Sequence, residues 1–102
     1  MDKQITLYGT GTTRSSRCRW TLLELGLDFD YIDNGSLIGT AELKKMQPLG
    51  KLPVIIIGGE SLFESTAICT YLCDLYPKKN LIASVGSRER ALHEQWCSFA
   101  LT

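Results

Sequence analysis

Three short segments of the chain carry the hydrophobic pattern of β-strands. Residues 5–8 are rich in β-formers and follow a polar start. Residues 28–33 alternate between apolar and polar, with Phe29 and Tyr31 on one face. Residues 54–57 are an unbroken run of Val and Ile. A strand that is apolar on both sides is expected to be buried on both faces of a sheet.

A hairpin is predicted directly after the third strand. Gly58-Gly59 is a favourable two-residue turn, and residues 61–63 then form the returning strand. The third and fourth strands are therefore expected to run antiparallel.

The first helix is predicted from an apolar stripe that follows the polar loop of residues 9–16. Either Ser15 or Thr13 is placed to cap this helix, and Gly26 is placed to end it. The stripe consists of Trp20, Leu23 and Leu27 at i, i+3 and i+7, widened by Cys18, Leu22 and Leu25.

Two further helices are predicted around the hairpin. A short one over residues 40–46 has Thr40 as its cap and closes at Pro48. A longer one is capped by Ser65 and stops at Pro77. Its apolar stripe consists of Ile68, Leu72 and Leu75.

The order of these elements, βαβαββα, predicts the fold class. The first βαβ unit requires a parallel crossover, and the later hairpin is antiparallel. An α/β fold follows, with a mixed four-stranded sheet and helices on both faces.

The chain changes character near Pro77. A linker-like stretch leads to another helix, which begins near Ser87 and is predicted to be still running at Thr102. Its apolar face needs a partner to pack on and consists of Leu92, Trp96 and Phe99. We expect a domain over residues 1–77, a linker over 78–86, and the first helix of a truncated all-α domain over 87–102.

Composition and charge narrow the class of protein. The 102 residues include 44% hydrophobic and 22% charged residues, which is ordinary for a soluble globular chain. Lys plus Arg and Asp plus Glu number 11 each, which argues against a broad nucleic-acid or membrane surface. No apolar run approaches the roughly 18 residues of a transmembrane helix, and no signal peptide is recognised. We therefore expect a cytoplasmic protein.

The cysteines do not predict a metal site. Cys18, Cys69, Cys73 and Cys97 form no C-x-x-C pair, and His93 is the only histidine. We expect no bound metal, and these thiols are interpreted as small buried hydrophobes.

Five segments of the chain together resemble the glutathione transferase superfamily, and most closely its bacterial and theta-like members with a catalytic serine. They are Leu7-Tyr8, TRSSR at 13–17, WTLLELGL at 20–27, GKLPV at 50–54 and ESTAI at 64–68. The resemblance covers essentially the whole chain. It implies a thioredoxin-like N-terminal domain followed by the first helix of an all-α domain.

The resemblance also implies a glutathione site. Pro53 would follow a cis peptide bond, and the Leu52 backbone would pair with the cysteinyl part of glutathione as an added strand does. Lys51 would contact the ligand's backbone or glycine carboxylate. Glu64 and Ser65 start a helix, where an α-carboxylate is favoured and Glu64 can pair with the ligand's ammonium. The alternative is a trans-proline turn followed by an ordinary helix cap.

A hydroxyl beside the first helix is expected to stabilise the glutathione thiolate. Counting back from Arg17 and Trp20, the resemblance places this hydroxyl at Thr13, where the family often has serine. Ser15 and Thr12 lie close enough to replace it. Capping and loop hydrogen bonding are the alternative roles for all three.

The activity that the resemblance implies is transfer of glutathione to a small electrophile, a detoxification reaction. Glutathione is the co-substrate, and no further cofactor is expected. The full protein is expected to be a homodimer with no nucleic-acid or membrane partner. The electrophile site normally takes its walls from the helical domain, so the fragment alone is expected to turn over poorly. The alternative is a non-catalytic binding or scaffold module, as in related translation factors and stress proteins.

Overall fold

The computed structural model describes residues 3–11 and 13–102. The strands are β1 (Ile5–Gly9), β2 (Asp30–Asp33), β3 (Val54–Ile57) and β4 (Glu60–Phe63). The helices are α1 (Ser15–Leu25), α2 (Ala41–Lys44), α3 (Ser65–Leu75) and α4 (Arg88–Ala100). Short 3₁₀ turns cover Gly35–Leu37 and Pro77–Lys79. Within the described ranges, every helix is too short or too polar to cross a membrane.

The strands form one mixed sheet in the order β2-β1-β3-β4. β1 pairs with β2 in parallel, through the crossover helix α1, and with β3 antiparallel. β3 and β4 form the antiparallel hairpin. The predicted βαβαββα order and the thioredoxin-like fold class are confirmed.

The main core lies between one face of the sheet and helices α1 and α3. Leu7 and Ile55, from the two central strands, are wholly buried there. A smaller cluster on the opposite face joins Leu43 of α2 to Leu52 and Val54. Both faces of β3 are therefore covered, as its apolar run predicts. The main cluster is completed by Ile5, Cys18, Leu22, Leu25, Ile57, Ile68 and Leu72.

The stripe that helix α1 buries is not the one centred on Trp20 and Leu23 that the sequence predicted. Trp20 is 68% exposed and Leu23 is 59% exposed, whereas Leu22 is completely buried. The buried face consists of Cys18, Leu22 and Leu25, at i, i+4 and i+7. Two apolar stripes overlap on this helix, and periodicity alone does not say which of them faces the sheet.

The predicted Thr40 cap is confirmed, and Ser87, near which the last helix was predicted to begin, also caps its helix. The Thr40 hydroxyl oxygen accepts the backbone N–H of Leu43 at 3.2 Å, at the start of α2. The Ser87 hydroxyl oxygen accepts the N–H of Arg90 at 3.1 Å, at the start of α4. Each cap satisfies one backbone donor that has no partner inside its helix.

Helices α1 and α3 begin without a capping hydrogen bond from the side chain of the N-cap residue. Their N-cap residues are Arg14 and Glu64, and neither side chain makes a capping hydrogen bond. The prediction that Ser65 caps α3 is therefore wrong, because Ser65 is already the first helical residue. Ser15 likewise lies inside α1 and does not cap it, whereas the hydroxyl oxygen of Thr13, the alternative, accepts the N–H of Ser15 at 3.2 Å.

Helix α4 is tied to α3 mainly by an ion pair. The Arg90 guanidinium donates to both carboxylate oxygens of Asp74, at 3.0 and 2.8 Å, and to the Ala83 carbonyl at 3.2 Å. The apolar face of the helix stays open, with Trp96 60% and Phe99 67% exposed and their rings edge to face at 5.5 Å. The helix ends at Ala100 and does not run on to Thr102 as predicted.

Strand β2 forms one edge of the sheet and, among the residues that the structure describes, pairs with β1 alone. Asp30 and Asp33 stand exposed at its two ends, with Tyr31 and Ile32 between them. Tyr31 packs against the main core, and the Arg19 guanidinium lies 5.0 Å from the centre of its ring.

Candidate functional site

Three segments of the chain converge at one end of the sheet. The strand register pairs Tyr8 with Val54 and Val54 with Phe63. The loop after β1, the residues before β3 and the start of α3 therefore leave the sheet at the same end. All the binding and catalytic candidates predicted from the sequence belong to these segments.

The segment before β3 is held in a fixed conformation. The peptide bond between Leu52 and Pro53 is cis, as the resemblance implies, and both residues are buried. The Oε1 atom of the buried Gln47 accepts the N–H groups of Leu49 and Lys51, at 2.6 and 3.3 Å. No backbone group within the described ranges pairs with the N–H or C=O of Leu52. Both groups can therefore bind an extended ligand.

Helix α3 directs its first N–H groups at the same end of the sheet. Glu64 has φ 76°, an uncommon value for a residue with a side chain, and turns the chain from β4 into the helix. Its carbonyl accepts the N–H of Ile68 at 2.9 Å. The N–H groups of residues 65–67 precede the first helical partner, and with the helix dipole they favour an anion.

A cysteine of α1 lies next to the first turn of α3. The Cys18 sulfur is 4.0 Å from the Ser65 carbonyl oxygen, and both residues are buried. A hydrogen bond to Cys69, together with burial, raises the pKa of Cys18, so its thiol stays protonated. The one thiol proton of Cys18 therefore has two possible acceptors, the Ser65 carbonyl and the Cys69 sulfur.

The candidate catalytic hydroxyls of Thr13 and Ser15 bond to each other at 2.5 Å. Thr13 also donates to the Thr10 carbonyl at 2.9 Å and accepts the N–H of Ser15 at 3.2 Å. Because a hydroxyl has one proton, Ser15 is the donor between the two hydroxyls. Ser15 is wholly buried, whereas Thr13 is partly exposed. Thr12, the third candidate, lies outside the described residues.

A cleft of about 540 Å³ opens between the start of α1 and the segment before β3. Thr13, Lys51 and Leu52 line it, so the structure brings these three predicted residues together. Ser15, Pro53 and Glu64 do not line it. Ser65 borders a neighbouring cavity, which shares Arg17 with this cleft. The full lining is Thr13, Arg14, Ser16, Arg17, Ile38, Lys51 and Leu52.

Four cleft residues had not been identified as binding candidates from the sequence. Arg14 and Arg17 add two cations to that of Lys51, Ser16 adds a hydroxyl, and Ile38 supplies an apolar wall. Three cations around one cleft favour a ligand with carboxylates. The two arginines could have been suspected, because Arg14 lies between Thr13 and Ser15 and Arg17 follows Ser15 by two residues. Ile38 lies in an irregular stretch that carries no sequence signal.

Known proteins are similar to this chain in sequence. The family model described as "Glutathione S-transferase, N-terminal domain" matches residues 7–80. Glutathione S-transferase F10 of Arabidopsis thaliana is 31% identical over 102 residues, covering 96% of this chain and 47% of that protein. Glutathione S-transferase hmp2 of Hypomyces subiculosus is 37% identical over 99 residues, covering 92% of this chain and 46% of that protein. The chain thus spans slightly less than half the length of these relatives.

A solved structure gives the same result for the fold. Glutathione transferase URE2P6 from Phanerochaete chrysosporium, crystallised in complex with oxidized glutathione, aligns with a TM-score of 0.84 and 31% identity. The alignment covers 95% of this chain and 48% of that one. By sequence and by fold, the chain belongs to the glutathione S-transferase family, whose thioredoxin-like N-terminal domain it carries.

Proposed function

We propose that the chain binds glutathione at this end of the sheet and, within the whole protein, transfers it to an electrophile. The observation that carries the proposal is the convergence of three segments that offer complementary groups. They supply the unpaired backbone of Leu52, the amino end of α3, and a cleft lined by cations.

The proposed ligand pose follows from the charges of glutathione. Its γ-glutamyl α-carboxylate lies at the N–H groups that open α3 and at the Ser65 hydroxyl, while its ammonium pairs with Glu64. Its cysteinyl unit pairs with the Leu52 backbone beside Pro53, as an added strand does. Its glycine carboxylate lies near Lys51.

Stabilisation of the thiolate is the catalytic part of the proposal. A free thiol has a pKa of about 8.5. Lowering that pKa by one unit requires about 1.4 kcal/mol of preferential stabilisation of the thiolate. We assign the donor hydroxyl to Thr13, because it lines the cleft, with Ser15 and Thr12 as alternatives. To serve the thiolate, Thr13 must redirect the proton that it gives to the Thr10 carbonyl.

The second candidate function, a non-catalytic binding or scaffold module, draws support from that same hydrogen bond. A Thr13 hydroxyl that keeps its proton on Thr10 leaves glutathione bound without an activated thiol. The two functions therefore differ in the pKa of the bound thiol and share the binding site.

The proposal also covers domain organisation, cellular location, assembly and physiological role. Residues 1–77 form the glutathione-binding domain, residues 78–86 a linker, and residues 87–102 the first helix of an all-α domain that supplies walls for the electrophile. We propose a cytoplasmic homodimer that acts in detoxification.

Calorimetric titration of glutathione into the chain tests the binding proposal. Ser65→Ala removes a hydrogen bond to a charged group, worth about 1.5–3 kcal/mol, so we expect affinity to fall about tenfold to 150-fold. Ser61→Ala is the matched control, because Ser61 is exposed on β4 away from the site and its loss should leave affinity unchanged. Absence of binding by the parent chain would contradict the proposal.

Titration of the bound thiol separates catalysis from binding alone. The thiolate absorbance of bound glutathione is followed against pH in the parent chain and in Thr13→Ala, Ser15→Ala and Thr12→Ala. A transferase lowers the pKa of the bound thiol, and the variant that restores its ordinary value identifies the donor. A bound thiol with an unchanged pKa in the parent chain favours the scaffold module.

A further inference from the structure

Helices α1, α3 and α4 enclose a second cavity of about 580 Å³. Much of its wall is apolar, with Leu81 and Ile82 on one side and Trp96 and Leu101 on the other. Three free thiols also line it, from two facing helices: Cys69 and Cys73 of α3 and Cys97 of α4. The proposed glutathione site makes no use of these thiols.

Among the three thiols of this cavity, Cys69 has the surroundings that most favour the reactive thiolate. The Thr21 hydroxyl lies 3.3 Å from its sulfur, and Arg17 borders the same cavity. Hydrogen bonding from Cys18, and then from Thr21, lowers the pKa of Cys69, and the charge of Arg17 lowers it further. Burial opposes these effects and is outweighed by them. Cys69 is partly buried and lines the cavity, so a small molecule in the cavity lies next to its side chain.

The single proton of Thr21 has two possible acceptors. The hydroxyl lies 2.9 Å from the Arg17 carbonyl, one turn earlier in α1, and 3.3 Å from the Cys69 sulfur. Ionisation of Cys69 makes the sulfur the stronger acceptor, because hydrogen bonds to charged groups are the stronger ones. Thr21 therefore stabilises the thiolate more than the thiol.

The other two thiols of the cavity have different surroundings. Burial and the neighbouring Cys69 and Asp74 raise the pKa of Cys73. The Cys97 sulfur lies 3.6 Å from Nε2 of His93 on the same helix. Across the part of the chain that the structure describes, no three Cys, His, Asp or Glu side chains are arranged to hold a metal ion. The cluster therefore points to thiol chemistry and away from metal binding.

We propose that Cys69 is a covalent capture site for apolar α,β-unsaturated carbonyl compounds that enter this cavity. The apolar wall takes the hydrocarbon body, the Cys69 sulfur meets the β-carbon, and Arg17 faces the carbonyl oxygen. The proposal rests on this cavity alone and does not require glutathione binding.

The capture step is a conjugate addition. The Cys69 thiol gives its proton to water, and a sulfur electron pair forms the C–S bond at the β-carbon. The C=C π pair moves to form an enolate, whose oxygen charge Arg17 stabilises. The α-carbon then takes a proton from water, so the net change is addition of the thiol across the double bond without an oxidant or reductant.

The experiment treats the intact chain with one equivalent of 4-phenylbut-3-en-2-one and maps the adduct by mass spectrometry of its peptides. We expect Cys69 to carry at least about tenfold more adduct than Cys73 or Cys97, because it holds more thiolate. Cys69→Ser should slow adduct formation about tenfold. Cys73→Ser, the matched control one turn along α3, should leave the rate within about twofold.

Two further measurements separate capture in the cavity from ordinary surface alkylation. Acrylamide, a small polar acceptor, should show less preference for Cys69, because it gains nothing from the apolar wall. The pH midpoint of Cys69 labelling should lie below the value of about 8.5 for a free thiol, and Thr21→Val should raise it. The titratable and charged groups that line the cavity or act on the pKa of Cys69 are Arg17 and Cys18 of α1, Cys73 of α3, and His93 and Cys97 of α4.

The adduct is mapped on the parent chain, which carries no substitution, so the result does not depend on how well a variant folds. Adduct spread evenly over the four thiols, or concentrated on Cys73 or Cys97, overturns it. So does a Cys69→Ser chain that reacts as fast as the parent.

Discussion

Leu22→Ala is expected to lower the free energy of unfolding by about 2–5 kcal/mol. Leu22 is completely buried between α1, the sheet and α3, so truncation removes apolar contacts and leaves a cavity. Small domains are stable by only about 5–15 kcal/mol, so this loss takes a large share of the total. Urea unfolding followed by circular dichroism measures it.

Leu23→Ala is the matched control for that experiment, since it makes the same change one residue further along the same helix. Leu23 is 59% exposed, so its truncation should change stability by no more than about 0.5 kcal/mol. Equal losses at the two positions would show that α1 presents another face to the sheet. The pair therefore tests the rotation of α1, which periodicity left undecided.

Gly9→Ala is expected to cost about 1–3 kcal/mol of stability, because it overfills the junction between β1 and α1. A Cβ atom at Gly9 would lie 2.5 Å from Cβ of Ser15 and 2.6 Å from its Oγ, with Cε1 of Tyr31 at 3.1 Å. Ser15 is wholly buried and bonded to Thr13, so it has little room to retreat. Displacing Ser15 would also move Thr13 in the cleft, so we expect weaker glutathione binding.

Gly11→Ala provides the comparison two residues along the same loop. An added Cβ atom at Gly11 meets no described atom within 4 Å, so stability should change by no more than about 0.5 kcal/mol. Thermal unfolding of both variants, with calorimetric titration of glutathione, gives the two readouts. A Gly9→Ala chain as stable as the Gly11→Ala chain would contradict the close packing at Ser15.

The sequence predicted the fold well because each element left a local signal. The apolar run at residues 54–57 identified the central strand, and Gly58-Gly59 identified the hairpin. Thr40 marked the start of α2 through its capping chemistry, and the start of α4 was placed near Ser87. What the sequence did not determine was helix rotation, since the buried face of α1 depends on packing against β1 and α3.

The candidate site was predictable only in part, because its geometry depends on contacts between distant segments. Lys51 and Leu52 were recognisable from their motif, and the structure places both in one cleft with Thr13. Gln47, whose buried amide holds the loop before β3, gave no pattern to recognise. The Thr13 bond to Thr10 is equally invisible in sequence, although it determines where the proton of the favoured catalytic hydroxyl lies.

The open edge of the sheet at β2 has a consequence for behaviour at high protein concentration. The unpaired outer edge of a strand is a template on which a second copy can add its own strand. If two β2 strands met antiparallel about their common centre, Asp30 of each would lie opposite Asp33 of the other. Like charges directly opposite each other destabilise a strand pair. The two carboxylates thus protect this edge against aggregation by self-pairing, and chains carrying Asn at both positions should lose that protection.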